Sequence, residues 1–76
     1  MKIDSILPNR VSPGQSVIIQ GDGLGDSETV LLGGDEVPFE IDGETLVVPI
    51  PDLSGEIDVT VRGGSGENDT SRITIE

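Results

Sequence analysis

The chain has 76 residues, enough for one domain spanning 1–76, and carries fifteen acidic against four basic residues, a net charge of −11, with no cysteine or histidine. This charge argues against nucleic acid and anionic membranes as partners, because both need a cationic protein face. Without Cys or His there is no disulfide, no zinc ligand and no Ser–His or Cys–His nucleophile, so we expect no enzyme and no cofactor.

The first predicted strand begins near Ile3 and ends at Pro8, which cannot donate a hydrogen bond to a neighbouring strand. Ile3 and Ile6 are three residues apart, which breaks the two-residue period of a strand. We therefore expect a bulge or a change of sheet near Ser5. Residues 11–14 then predict a turn, because Pro is followed by Gly in the order that a type II turn favours.

The next stretch is the one around which the other segments are organised. Residues 15–20 form an alternating strand with Val17 and Ile19 on one face. The glycine-rich residues 21–25 permit backbone angles that other residues avoid, so they predict a tight corner. Leu24 lies within this corner and is expected to return to the core.

Five further strands are predicted in the remainder of the chain. One of them contains Pro38, so we expect it at a sheet edge, with Val37, Phe39 and Ile41 facing the core. The longest loop is expected at residues 63–69. The five strands are predicted at residues 29–32, 36–41, 46–50, 57–62 and 71–75. About seven short strands without helical periodicity predict an all-β, immunoglobulin-like antiparallel β-sandwich.

Essentially the whole chain resembles an IPT/TIG domain. Residues 13–25 resemble the family's turn, V-x-I-x-G strand and corner with an apolar plug. Residues 30–34 resemble its V-x-F-G-G segment, and residues 46–51 its later strand ending in Pro. Leu24 and Leu32 stand where the family often has aromatic residues. Members serve as modules in receptors, transcription factors, starch-active enzymes and surface or virion proteins, so the resemblance implies a fold without a catalytic site.

Three motifs are candidate binding or modification sites. Asp22, Asp26 and Glu28 offer oxygen ligands for calcium, but the alternate-position pattern of an EF-hand fails, and we expect no metal. The glycines of residues 21–25 are followed by neither a helix nor a lysine, so a phosphate site is not expected. Residues 68–70 match an N-glycosylation sequon in a loop, which we interpret as a chance match because no signal peptide is visible.

Four residues fall on outward positions and form the candidate interaction surface. The alternation that buries their neighbours turns Ile18 and Val47 outward, on strands that the immunoglobulin-like arrangement places side by side, with Pro49 nearby. Leu31 is a similar outward residue on the opposite sheet. Single exposed aliphatic residues are common on protein surfaces. The functional hypothesis is a docking face for a second copy, giving a homo-oligomer, or for a larger protein assembly.

The main functional hypothesis is a non-enzymatic structural protein of a virion. It would be a capsid decoration or tail accessory protein of a virus with a halophilic host, bound to the capsid or tail. The alternative is an immunoglobulin-like module of a secreted or cell-surface protein, such as an adhesin, a surface-layer protein or a carbohydrate-active enzyme. The two hypotheses differ in the expected location, which is the virion for the first and the cell surface or exterior for the second.

The acidic composition, with a single lysine, predicts a halophilic protein. At about 1 M salt the Debye length falls to roughly 3 Å, so repulsion among the carboxylates is largely screened. We expect the midpoint of thermal unfolding to rise from dilute buffer to molar KCl, as measured by circular dichroism. A midpoint that stays constant or falls would contradict the prediction.

Overall fold

Alternation of buried aliphatic and exposed polar residues builds two β-sheets around one core. The computed structural model describes residues 1–76 and contains nine strands and a 3₁₀ turn at Leu24–Asp26. The strands are β1 (Lys2–Leu7), β2 (Arg10–Val11), β3 (Ser16–Asp22), β4 (Ser27–Leu32), β5 (Asp35–Val37), β6 (Glu40–Asp42), β7 (Thr45–Pro49), β8 (Gly55–Gly63) and β9 (Asn68–Ile75).

The two sheets pack face to face as a sandwich. The four-stranded sheet has the order β1-β3-β7-β6, and the five-stranded sheet has the order β2-β9-β8-β4-β5. The predicted all-β sandwich is confirmed. It is not purely antiparallel, because the two-residue strand β2 runs parallel to β9.

Fourteen buried aliphatic side chains fill the space between the sheets. Fully burying a Val, Leu or Ile side chain contributes about 1.5–3 kcal/mol, so this core is the main source of stability. Leu24 is fully buried at one end of the core, as predicted for the corner. The core residues are Ile6, Val11, Val17, Ile19, Leu24, Val30, Leu32, Leu46, Val48, Ile50, Val59, Val61, Ile73 and Ile75.

The single strand predicted at residues 36–41 is wrong. The segment divides into β5, which pairs with β4, and β6, which pairs with β7 in the other sheet. Pro38 and Phe39 lie between the two strands, and the chain changes sheet there. Ile41 therefore lies on a three-residue edge strand and is 47% exposed, not buried as predicted. Val37 and Phe39 are half-buried against the core.

The chain also changes sheet near its beginning. β1 has a register shift between Ile3 and Ser5, so the predicted bulge is confirmed. The change of sheet follows Pro8, where β2 joins the five-stranded sheet. β2 was not predicted as a strand, because two residues carry no detectable alternation.

Two of the predicted connections differ from the observed ones, the first in position and the second in length. The turn after β2 spans residues 12–15, closed by a hydrogen bond of 3.2 Å from the Gln15 N–H to the Ser12 carbonyl. Gly14 has a φ of 90° at its third position, as a type II turn requires. The loop predicted at residues 63–69 is shorter, because β8 extends to Gly63 and β9 begins at Asn68. Asn68, the first residue of the sequon, is therefore an exposed strand residue.

Gly21 lies at a point of close approach between β1 and β3. It pairs with Ile3, and a Cβ at this position would overlap the carbonyl oxygen of Lys2 and lie 3.0 Å from the Ile3 Cα. These are backbone atoms of the neighbouring strand, so they cannot move aside unless β1 separates from β3.

We expect Gly21→Ala to lower the free energy of unfolding by about 2–3 kcal/mol, because the added methyl group overpacks this contact. Denaturant unfolding followed by circular dichroism measures the change. The matched control is Gly64→Ala, where the added Cβ lies 2.6 Å from Oε1 of the flexible Glu28 side chain. That carboxylate can rotate away, so the control should change stability by less than about 1 kcal/mol. Equal losses for the two variants would contradict the prediction.

Candidate interaction surface

A row of aliphatic side chains crosses the outer face of the four-stranded sheet. The register pairs Leu7 with Ile18, and Ile18 with Val47. Leu7 is 53% and Ile18 is 43% exposed, and Val47 is partly exposed. Residues directly opposite on neighbouring strands share a face, so these three side chains lie next to one another. We call Leu7, Ile18 and Val47 the aliphatic row.

The aliphatic row points outward because its neighbours in sequence face the core. Ile6, Val17, Ile19, Leu46 and Val48 flank its members, and all five are buried. Successive side chains of a strand point to opposite faces, so the burial of these five residues turns the row toward solvent.

The positions beside the aliphatic row carry no charge on β1, β3 and β7. Gln20 lies opposite Ser5 on one strand and Thr45 on the other, and its Oε1 accepts a hydrogen bond of 3.2 Å from the Ser5 hydroxyl. On the other side of the row, Ser16 lies opposite Pro49. We call these residues, together with the aliphatic row, the uncharged face.

The uncharged face has an acidic border along β6. Glu40 lies opposite Val47, and Asp42 lies opposite Thr45, so both carboxylates are on the same side of the sheet as the aliphatic row. Both residues are exposed. The outer face therefore carries no charge around the aliphatic row on β1, β3 and β7, and it is negatively charged along β6. Charged residues return at the far end of β1 and β3, where Lys2 lies opposite Asp22.

The candidate interaction residues predicted from the sequence lie on two different sheets. Ile18 lies directly opposite Val47, and Pro49 is exposed one position further along the same face of β7. Leu31 is partly exposed on the five-stranded sheet, between Glu36 and Thr60, and does not join them. That these residues bind a partner stays a prediction.

Leu7 also belongs to this surface, although the sequence analysis did not include it among the candidate residues. Ile6 was expected to face the core, and the two-residue period then places Leu7 outward. That signal was present, but the aliphatic row only becomes visible once β1 is known to lie beside β3.

The outer face of the five-stranded sheet is polar and ion-paired. The Arg72 Nε lies 3.0 Å from Asp58 Oδ1, and its Nη1 lies 3.4 Å from Glu56 Oε2. The hydrogen bond to Asp58 is the main reason that the pKa of Arg72 is raised. The hydroxyl oxygens of Thr60 and Thr70 lie 3.0 Å apart on the same sheet. A partner docking here would have to displace water from charged groups, which is costly.

The molecule has two surface depressions, both open to solvent. One has a volume of about 460 Å³ and lies along β9, and the other, about 300 Å³, lies beside the loop that joins β8 to β9. The first is lined by Asn9, Arg10, Glu56, Arg72, Ile73 and Thr74, and the second by Asp26, Glu28, Gly63, Gly64, Ser65 and Glu67. No group of three or more acidic residues is arranged to hold a metal ion, and no helix is long and apolar enough to cross a membrane.

Asp69 connects the strand that carries Leu7 to the five-stranded sheet. Its carboxylate accepts hydrogen bonds from the Ile3 N–H at 2.7 Å and from the Thr70 N–H at 2.9 Å. The bond from Ile3 is the larger cause that lowers the pKa of Asp69, because both bonds favour the ionised carboxylate. Asp69 thereby helps to hold β1 in place.

We expect Asp69→Asn to be less stable than the native chain at neutral pH by about 1 kcal/mol, because the bonds to a charged acceptor are lost and solvent screens part of their strength. Since folding lowers the pKa of Asp69, its stabilising effect is full above the unfolded-state pKa and is lost as the pH falls through the folded-state value. The difference between the two proteins should therefore shrink below about pH 4.

Denaturant unfolding at a series of pH values measures this difference. The control is Asp52→Asn, which replaces an exposed aspartate in the segment between β7 and β8. A deficit of Asp69→Asn that stays constant from neutral to acidic pH would rule out the carboxylate as its cause.

The sequence matches the model of the IPT/TIG domain family over residues 1–75. No curated protein matches it significantly. Among solved structures, it is similar to SGBP-B of the Bacteroides ovatus mixed-linkage glucan utilization locus, in complex with a mixed-linkage heptasaccharide, at 25% identity and a TM-score of 0.73. It is also similar to a gamma-CGTase from alkalophilic Bacillus clarkii, at 25% identity and a TM-score of 0.82.

These similarities cover most of this chain and a small part of each structure. They span 90% and 96% of this chain, but 21% of the SGBP-B chain and 12% of the gamma-CGTase chain. The chain therefore matches about one fifth of the SGBP-B structure and about one eighth of the gamma-CGTase structure.

Proposed function

We propose that this chain, which belongs to the IPT/TIG domain family, is a non-catalytic immunoglobulin-like module of a secreted or cell-surface protein. One observation carries the proposal. The chain is similar over nearly its full length to small parts of two much longer proteins, a glucan-utilization protein and a gamma-CGTase. Both names refer to proteins that bind or process carbohydrate, which favours a carbohydrate-active or surface-attached parent.

Within such a protein, we propose that the module contacts protein and not sugar. Sugar rings commonly stack on exposed aromatic side chains, and the single aromatic residue, Phe39, is half-buried against the core. Both depressions are open and polar, whereas small-molecule sites are concave and mostly apolar. The uncharged face is the part of the surface best suited to protein contact.

The absence of catalysis in this proposal is supported by the chemistry of the side chains. Glycoside cleavage needs two carboxylates, one of which has a raised pKa in an enclosed site. The two groups with shifted pKa values are Asp69, whose pKa is lowered by hydrogen bonds, and Arg72, whose pKa is raised by ion pairing. Neither shift produces a general acid near neutral pH.

The virion hypothesis receives no support from the comparisons and stays a prediction from the sequence. The halophilic source also stays a prediction. An extracellular location is part of the present proposal, because the glucan-utilization protein and the gamma-CGTase that the chain resembles favour a secreted or surface-attached parent.

An antibody raised against the 76-residue chain tests the proposal in the source organism. Immunoblots of the cytosol, the cell surface and the culture medium, with peptide mass spectrometry of each band, should detect a polypeptide much larger than 7.9 kDa in the surface or medium fraction. A larger band confined to the cytosol would contradict the extracellular location.

A band of 7.9 kDa alone would contradict the proposal that the chain is a module. If that band copurified with virus particles in a density gradient, the virion hypothesis would be favoured instead. As a separate control, calorimetric titration of the purified chain with mixed-linkage glucan and cyclodextrin should show no binding. Measurable binding would replace protein contact with sugar contact as the module's role.

A further inference from the structure

We infer that the uncharged face packs against a neighbouring domain of the same polypeptide, and that this neighbour presents an aliphatic strip bordered by lysine or arginine. The inference rests on the proposed function, since it requires a polypeptide longer than this chain. It identifies the partner that the proposed module contacts.

The exposed hydrophobic side chains are concentrated on one sheet. The exposed large hydrophobic residues of the structure are Leu7, Ile18 and Ile41, and all three lie on strands of the four-stranded sheet. Leu7 and Ile18 are adjacent members of the aliphatic row, whereas Ile41 lies opposite the buried Leu46, on the core-facing side of the edge strand β6. An exposed apolar patch of this kind with a polar rim is typical of an interaction site.

The distribution of charge marks the same area. Fifteen acidic residues are spread over a chain of 76, yet the outward positions of residues 5–7, 16–20 and 45–49 carry none. A neutral area can be dehydrated without leaving a carboxylate buried and unpaired, which is the costly step in docking an acidic protein.

The acidic border along β6 determines the chemistry of the partner. Glu40 and Asp42 share the face with the aliphatic row, so a partner that covers the row also approaches these carboxylates. A cationic group opposite them compensates most fully for their loss of water, because it offers both opposite charge and hydrogen-bond donors. The complementary surface is therefore aliphatic in its centre and basic on one side.

A second copy of the chain does not offer that surface. Two copies that pack face to face are related by a two-fold axis lying between the two facing sheets and parallel to them. If their strands are aligned, this axis permits only two arrangements. In these, β6 of one copy lies over either β6 or β1 of the other. Glu40 then lies near Glu40 or near Leu7 of the other copy, since Leu7 is the corresponding residue of β1. The first arrangement places no cation opposite β6. In the second, the nearest cation is Lys2 of β1, which lies beyond Ser5 and is paired in register with Asp22 of its own chain.

The size of the face also favours a tethered partner. The molecule measures 32 × 21 × 18 Å, so its largest face projects about 670 Å², which is at the low end of the roughly 600–1,000 Å² that stable complexes between separate chains bury on each partner. Contacts between domains of one chain bury about 600–1,500 Å² in total, which this face can supply. A tether also raises the effective concentration of the neighbour, so a smaller contact suffices.

Hydroxyl-radical labelling with mass spectrometry tests the inference on the full polypeptide and on the 76-residue chain. We expect Leu7, Ile18 and Val47 to be labelled several-fold less in the full polypeptide. Leu31, on the outer face of the other sheet, is the internal control and should be labelled equally in both proteins.

A pair of matched variants identifies the cause of the protection. In the full polypeptide, Ile18→Thr combined with Val47→Thr should return the labelling of Leu7 to its level in the isolated chain. Leu31→Thr, the matched control, should leave Leu7 protected. Threonine is β-branched and suits a strand, and circular dichroism of the isolated variants checks that the fold is retained.

Each other outcome overturns the inference. Equal labelling of Leu7 in a full polypeptide and in the isolated chain overturns the inference alone and leaves the proposed function standing. Protection in the isolated chain that increases with concentration, with a dimer mass by sedimentation equilibrium, assigns the face to a second copy. Protection that requires a separate protein assigns it to another chain. If the source organism contains no polypeptide longer than this chain, the proposed function is overturned as well. The immunoblot detects the absence of a longer polypeptide independently of the labelling.

Discussion

The structure depends on a core that is filled mainly by aliphatic side chains. Fourteen of them, from both sheets and the segments that connect their strands, occupy the interior, and the chain has no cysteine to form a disulfide. Because each strand commits alternate residues to this interior, its remaining residues are committed to the outside. A slip of one residue in β3 would expose Val17 and Ile19 and bury Ile18, so the register that forms the core also forms the aliphatic row.

Strong local alternation made much of this core predictable from the sequence. The buried positions of β7 and β8, such as Leu46 and Val59, follow a strict two-residue period, and the glycine-rich corner required an apolar residue at Leu24. The split of residues 36–41 was not predictable in the same way. Alternation within a segment has the same pattern whether its two halves pair with one strand or with strands of different sheets, and that choice depends on distant residues.

The candidate surface was predictable only in part, for the same reason. Ile18 and Val47 were recognised as outward residues, and their proximity followed from the arrangement of an immunoglobulin-like fold. The neutral surroundings of the aliphatic row could not be predicted from the sequence. They depend on which residues of β1, β3 and β7 lie side by side, and one bulge near Ser5 changes that alignment. The acidic border depends on β6 joining this sheet, which the single predicted strand had concealed.

The lengths of the outermost strands bear on how the molecule behaves when it is crowded. Two of them, β5 and β6, have three residues, β2 has two, and β1 is interrupted by its bulge and commits the Ile3 N–H to Asp69. Long, regular outer strands with free amides recruit further strands and lead to fibrils. This molecule offers no such template at any of its four margins. The short and irregular margins would therefore limit amyloid-like growth even at high salt, where screening removes the repulsion between negatively charged copies.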